Sequence, residues 1–162
     1  MVMAVMAWVI AIPLLGLVTG LRTFTPMAIL CWFAYSGNLP INDDWTAWVP
    51  KLSTAIVFTV LAVAELAADK LPKIPARVTL TPMLFRLGFG GLAGGIVAAS
   101  LDGSVVEGVV LALAGALIGT FGGYLIRRDV VYHLQCKDWY VALAEDAIAI
   151  CCAIFAMGII TG

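Results

Sequence analysis

The chain has 162 residues, the length of a single domain. Hydrophobic residues make up 63% of it and charged ones only 12%, about half the charge of an ordinary soluble domain. With a mean hydropathy of +1.07 this excludes the soluble globular class. A net charge of −1 leaves no basic surface to neutralise phosphates, which excludes nucleic acid as a partner.

Residues 1–20 are apolar throughout, about 30 Å as a helix and so one bilayer core. They lack a positively charged n-region and a small-residue cleavage site, so a retained span is expected in place of a signal peptide. Arg22-Thr23-Phe24-Thr25-Pro26 follows, and here Thr25 is expected to cap a new helix with Pro26 at its first position. The second apolar block, 27–35, is short. Extended over 26–41 it reaches about 24 Å, which crosses a bilayer only with local thinning or snorkelling. It reads either as a short span or as a re-entrant half-helix.

Residues 38–50 form a polar loop with Asp43 and Asp44, in which Trp45 and Trp48 read as interfacial anchors. The next span is 52–68. From Glu65 to Arg86 runs the long polar interruption of the chain, ELAADKLPKIPARVTLTPMLFR. Its three prolines, Pro72, Pro75 and Pro82, argue against one continuous helix. A glycine-rich span at 83–101, a tight turn at Asp102-Gly103-Ser104 and the clearest span, 105–126, come next. A second polar segment, with Arg127, Arg128, Asp129, His133, Lys137 and Asp138, separates this from the last span at 139–160.

The expected fold is therefore all-α, a polytopic transmembrane helical bundle forming a single integral membrane domain over residues 1–162. Lysines and arginines concentrate in the two long polar segments, which places both in the cytoplasm. The Asp43-Asp44 loop and the Asp102 turn then lie outside. Six spans are favoured because they put Arg22 on the positive side. Five spans with a re-entrant half-helix are the alternative. Six divide as three plus three, an inverted-repeat arrangement supported only weakly by the likeness of RTFTPM at 22–27 to RVTLTPM at 77–83.

Glu65 and Asp69 are four apart and share a helix face. Glu145 and Asp146 lie about 10 Å into the last span at 1.5 Å per residue. An ionised carboxylate at such depth costs about 2.5–3.5 kcal/mol unless it meets a partner or water. Arg22, Arg77, Arg86, Arg127 and Arg128 are the basic candidates, all toward the cytoplasmic half. Either arginine–carboxylate pairs tie helix ends together, or they line a polar cavity. Glu107, three residues into its span, is expected to reach the outer interface.

Glycines supply the other pattern. Gly115, Gly119 and Gly123, Gly91 and Gly95, and Gly16 and Gly20 repeat at spacing four, which lets helices approach closely. Packing within one chain is the plainer reading; a homo-oligomer seam is the other. The four cysteines, Cys31, Cys136, Cys151 and Cys152, have no CxxC spacing and read as small apolar fillers. No metal site and no cofactor are expected, because His133 has no ligand neighbours at zinc spacing. Signatures such as HExxH, GxSxG or a P-loop are absent, so no enzyme is expected.

GLRTFTP at 20–26, AELAADKLPKIPAR at 64–77, the GGLAGG run at 90–95 and AED at 144–146 resemble the small bacterial integral membrane proteins grouped as domain of unknown function 4126. The resemblance covers nearly the whole chain. It implies a multi-pass protein of the bacterial inner membrane and transfers no activity. From the residues, the first functional expectation is a small helical transporter or channel for an ion or a small or anionic substrate. Glu65, Asp69, Glu145 and Asp146 would then be the coupling or substrate-contacting acids, balanced by Arg22, Arg86 and Arg127. The alternative is a non-catalytic scaffold that binds membrane lipid or a partner protein.

Overall fold

The computed structural model describes residues 7–42, 44–68, 80–134 and 138–162. They form six α-helices, with no strand among the described residues. Helix α1 (Ile12–Leu21) continues from a π-helical turn at Ala7–Ala11; α2 is Thr25–Tyr35, α3 Leu52–Ala68, α4 Leu80–Ser100, α5 Val105–Leu134 and α6 Asp138–Thr161. The last three are long and apolar enough to cross a membrane, while α3 and the apolar stretches over α1 and α2 are shorter. Their composition points to a membrane protein.

Three boundaries differ from the sequence expectation. Helix α2 stops at Tyr35 instead of reaching Ile41, because Gly37 takes a positive φ of 77°. The N–H of Asn38 then bonds to the carbonyl of Phe33 and that of Gly37 to Ala34, a Schellman stop. At 11 residues, α2 is about 16 Å long, short of a bilayer core. Helix α5 does the opposite: the segment read as a polar loop after Ile126 is helical to Leu134. No glycine or proline interrupts the chain from Tyr124 to Leu134, so nothing breaks the helix as its side chains become polar. His133, expected in a loop, thus lies in the last turn of α5. Helix α4 begins at Leu80, three residues early, and takes Pro82 into its first turn, where a missing N–H is harmless. The proline-rich residues 69–79, including Asp69 and Arg77, lie outside the described residues, as do Asp43, Cys136 and Lys137.

Helix α1 is the centre of the bundle. Ile12, Leu15, Gly16, Val18, Thr19 and Gly20 are all buried, and the helix packs against α4, α5 and α6. Its closest neighbour is α5, and the two run parallel. A Cβ at Gly16 would strike the backbone of Ala112, one at Gly20 that of Ala116, and those at Gly115 and Gly119 the backbone of Pro13 and Leu17. The glycines of each helix therefore accept the main chain of the other, a contact that any larger side chain would abolish. Helices α4 and α5 are antiparallel, with Gly91 and Gly95 against Val109 and Gly94 against Gly108 and Ala112. These glycine stripes are used inside one chain.

An aromatic cluster sits beside the end of α1. Phe24, Phe58 and Phe89, from the α1–α2 junction, α3 and α4, stand 5.1–6.5 Å apart by ring centroid, and Trp48 lies 6.3 Å from Phe58. Trp48 is thus half-buried against the core, while Trp45 stays exposed. Cys31 is buried, Cys152 half-buried and Cys151 exposed, all as free thiols.

Candidate functional site

The first two helices are one apolar stretch broken at Arg22-Thr23-Phe24. Pro26 causes the break: in a continuous helix its ring would collide with the carbonyl of Arg22. Arg22 accordingly turns extended, with φ −138° and ψ 116°. The break leaves backbone groups without helical partners on both sides, at a level where each helix end is buried.

Distant helices supply those partners. The carbonyl of Gly20, at the negative end of α1, accepts a hydrogen bond from Arg86 Nη1 on α4 at 2.9 Å and another from the Thr120 hydroxyl on α5 at 3.3 Å. On the other side, the carboxylate of Glu65 from α3 accepts the N–H groups of Thr23 at 2.8 Å and Phe24 at 2.9 Å, one on each oxygen. A cation thus faces the C-terminus of α1 and an anion the N-terminus of α2, each the sign that the helix dipole favours. Thr25 does not cap α2: Phe24 is the N-cap residue and makes no side-chain bond. Glu65 does that work from 41 positions along the chain.

Arg22 itself points into the bundle and forms an ion pair with Asp146 of α6, the side chains being only 1% and 9% exposed. Beside it on α6, Glu145 Oε2 lies 3.8 Å from Arg127 Nη1 of α5. Of the seven charged candidates read from the sequence, the structure brings together Arg22, Glu65, Arg86, Arg127, Glu145 and Asp146. Asp69 falls outside the described residues. The six gathered charges are three of each sign. Glu107 is exposed at the opposite end of α5.

Two environments divide the layer. Arg22, Arg86, Thr120 and Asp146 are buried and hold the helix break closed. Arg127 and Glu145 instead border a groove of about 430 Å³ between α5 and α6, otherwise lined by Leu21, Gly123, Ile126, Val130, Tyr140, Val141, Ala144 and Ile148. Ile126 and Ile148 are 65% and 57% exposed, so the groove opens to the outside of the bundle. Its volume is within the ~300–1,000 Å³ range of small-molecule sites. The residues that sequence reasoning missed are Thr120 and the Gly20 carbonyl. Thr120 stands in a run of small residues and reads as packing. A backbone carbonyl has no sequence signal except the Gly20…Pro26 spacing that marks the break.

The sequence profile of the family described as Domain of unknown function (DUF4126) matches residues 9–159. No curated protein and no solved structure matches the chain.

Proposed function

The chain belongs to the DUF4126 family, and from its geometry we propose a small helical membrane transporter whose substrate engages the Arg127–Glu145 pair through the α5–α6 groove. One observation carries this reading: of the ion pairs in the charged layer, this one lies at 3.8 Å on the edge of an open cavity, while Arg22–Asp146 is sealed in the core. A charge pair that borders a groove can exchange its partner for a bound group; a sealed pair can only hold the fold. In this reading the helix break, fastened by Arg86 and Glu65, is the fixed point about which α5 and α6 move.

The membrane arrangement that goes with it has six crossings, α1 and α2 being short ones, with the charged layer toward the cytoplasm and both termini outside, in a bacterial inner membrane. Helices α1–α3 and α4–α6 then form its two halves. Lipids are the expected neighbours of the exposed apolar faces. A homo-oligomer built on glycine contacts would use Gly88, Gly122 or Gly158, which have nothing within 4 Å of an added Cβ.

The sealed Arg22–Asp146 pair favours the second reading, a non-catalytic scaffold in which the charges serve stability alone. Reconstituted vesicles separate the two. Glu145→Gln, which keeps shape and removes charge, should leave the fold intact and abolish substrate- or ion-dependent flux. Unchanged flux in that variant, or no flux in the native protein, would favour the scaffold.

A further inference from the structure

The groove between α5 and α6 has a chemistry of its own that narrows what it can hold. Its walls are mostly apolar along both helices, with the phenol of Tyr140, and its two charged side chains are one of each sign, Arg127 and Glu145, 3.8 Å apart. On the adjoining surface Arg128 pairs with Asp129 at 3.3 Å. The four charges Arg127, Arg128, Asp129 and Glu145 are two of each sign. A purely anionic molecule would meet the Glu145 carboxylate as well as the guanidinium, and a fatty ammonium would meet Arg127.

A ligand that carries both charges on a short link, attached to an aliphatic tail, matches every wall. We infer that the groove holds a phospholipid whose headgroup bears a phosphate and a primary ammonium, of the phosphatidylethanolamine type. This deepens the transporter reading, and rests on it for the claim that the groove is a working site. The phosphate would sit at the planar donor fork of Arg127, which suits phosphate oxygens. The ammonium would donate to Glu145, a bond that a quaternary choline group cannot make. One acyl chain would follow Ile126 and Ile148 toward the bilayer centre, past Gly123, where Leu21 closes the groove from behind.

Two further features fit a lipid better than a free solute. The groove opens sideways between exposed isoleucines, the direction from which a lipid arrives. At its polar end stand Trp139 and Tyr140, stacked at 3.9 Å and both substantially exposed, the residue types that settle at headgroup level. Consecutive helices α5 and α6 make little contact with each other, although the connection between them is short. The space that separates them is the groove.

The test is lipid retention by the intact protein, extracted in mild detergent and read by native mass spectrometry. Phosphatidylethanolamine, phosphatidylcholine and phosphatidylglycerol with the same acyl chains are supplied at equal concentration. The expected result is retention of phosphatidylethanolamine about tenfold above each of the others, corresponding to about 1.4 kcal/mol. Glu145→Gln should remove the preference over phosphatidylcholine, and Arg127→Gln should lower retention of all three. Ala144→Phe, an uncharged change at an exposed position lining the groove, should fill it and lower retention without touching the ion pairs. Equal retention of the three lipids by the native protein, preference for phosphatidylglycerol, or no retained lipid would each overturn the inference, and none of these depends on a variant folding. Flux measurements are separate: flux of a water-soluble substrate without lipid retention would leave the transporter reading standing and remove this one. Retention without flux would leave the bound lipid standing and remove the claim that the groove works in transport.

Discussion

Glu145 and Asp146 are adjacent in sequence, yet their carboxylates serve different surroundings. Asp146 turns inward to Arg22, and Glu145 turns to the groove and Arg127. Neighbours on a helix point about 100° apart, so a vicinal acid pair naturally serves two surfaces. Removing one partner of a sealed pair leaves the other charge buried, at a cost of about 3–5 kcal/mol. Asp146→Asn should therefore lower the detergent melting temperature sharply, whereas the double change Arg22→Met with Asp146→Leu should recover most of the loss. A melting point unaltered by Asp146→Asn would show that Arg22 is held by its other surroundings. The presence of both acids was legible, because carboxylates deep in an apolar run stand out. Which arginine each would meet was not, since pairing depends on helix rotation and on contacts far apart in the chain. The capping role of Glu65 was hidden for the same reason: local rules nominate Thr25, and a carboxylate from α3 makes the better acceptor for two N–H groups at once.

At the scale of the element, glycine and charge decide where helices meet and stop. Gly119 faces the backbone of Leu17, and backbone cannot swing aside as a side chain can. Gly119→Leu should thus cost about 3 kcal/mol, the upper part of the usual overpacking range, seen as early melting or loss of monodisperse protein. Survival of normal melting would mean that α1 and α5 do not cross there. The turn after α4 offers the opposite effect. Asp102 has φ 53°, and the bond from Gly103 N–H to the Ala98 carbonyl, with that from Asp102 N–H to Ala99, places it at the left-handed position of a Schellman stop. Asp102→Gly relieves that conformation and should raise stability by up to about 1 kcal/mol, a modest rise in melting temperature. A fall would show that the Asp102 side chain contributes more than its backbone costs. Helix positions followed readily from apolar run length, and their ends less so. The loop expected after Ile126 is helical because polarity alone does not stop a helix; a breaker does, and none is present before Leu134.

For the whole molecule, the charged layer ties five chain segments into one level. Thr81 and Arg128, both exposed, lie toward that level, and Ser36 and Ser104, also exposed, lie at the far ends of α2 and α5. Single cysteines at these four positions in a cysteine-depleted protein should label in two groups by side, Thr81 with Arg128 and Ser36 with Ser104, when a membrane-impermeant reagent is added to intact cells. Labelling of Thr81 and Arg128 positions from opposite sides would break the arrangement.

The parallel seam between α1 and α5 also has a consequence for how the protein is made. Its two halves are separated by on the order of 100 residues, a long-range contact of the kind that forms late. Helix α1 is synthesised before α5 and α6, so its glycine face lacks the seam with α5, and Arg22 lacks Asp146, until those helices have been made. Until then α1 has only its contacts with the earlier helices, chiefly α4, among those that bury it in the finished protein. Nascent chains halted before Val105 should accordingly be short-lived in cells, cleared by membrane quality control, while chains halted after Thr161 persist. Pulse-chase of such arrested lengths would show a step in half-life at the emergence of α5 and α6, and a smooth rise with length would contradict it. Order of synthesis and order of assembly run in opposite directions here, so the centre of the bundle is made well before the helices that complete it.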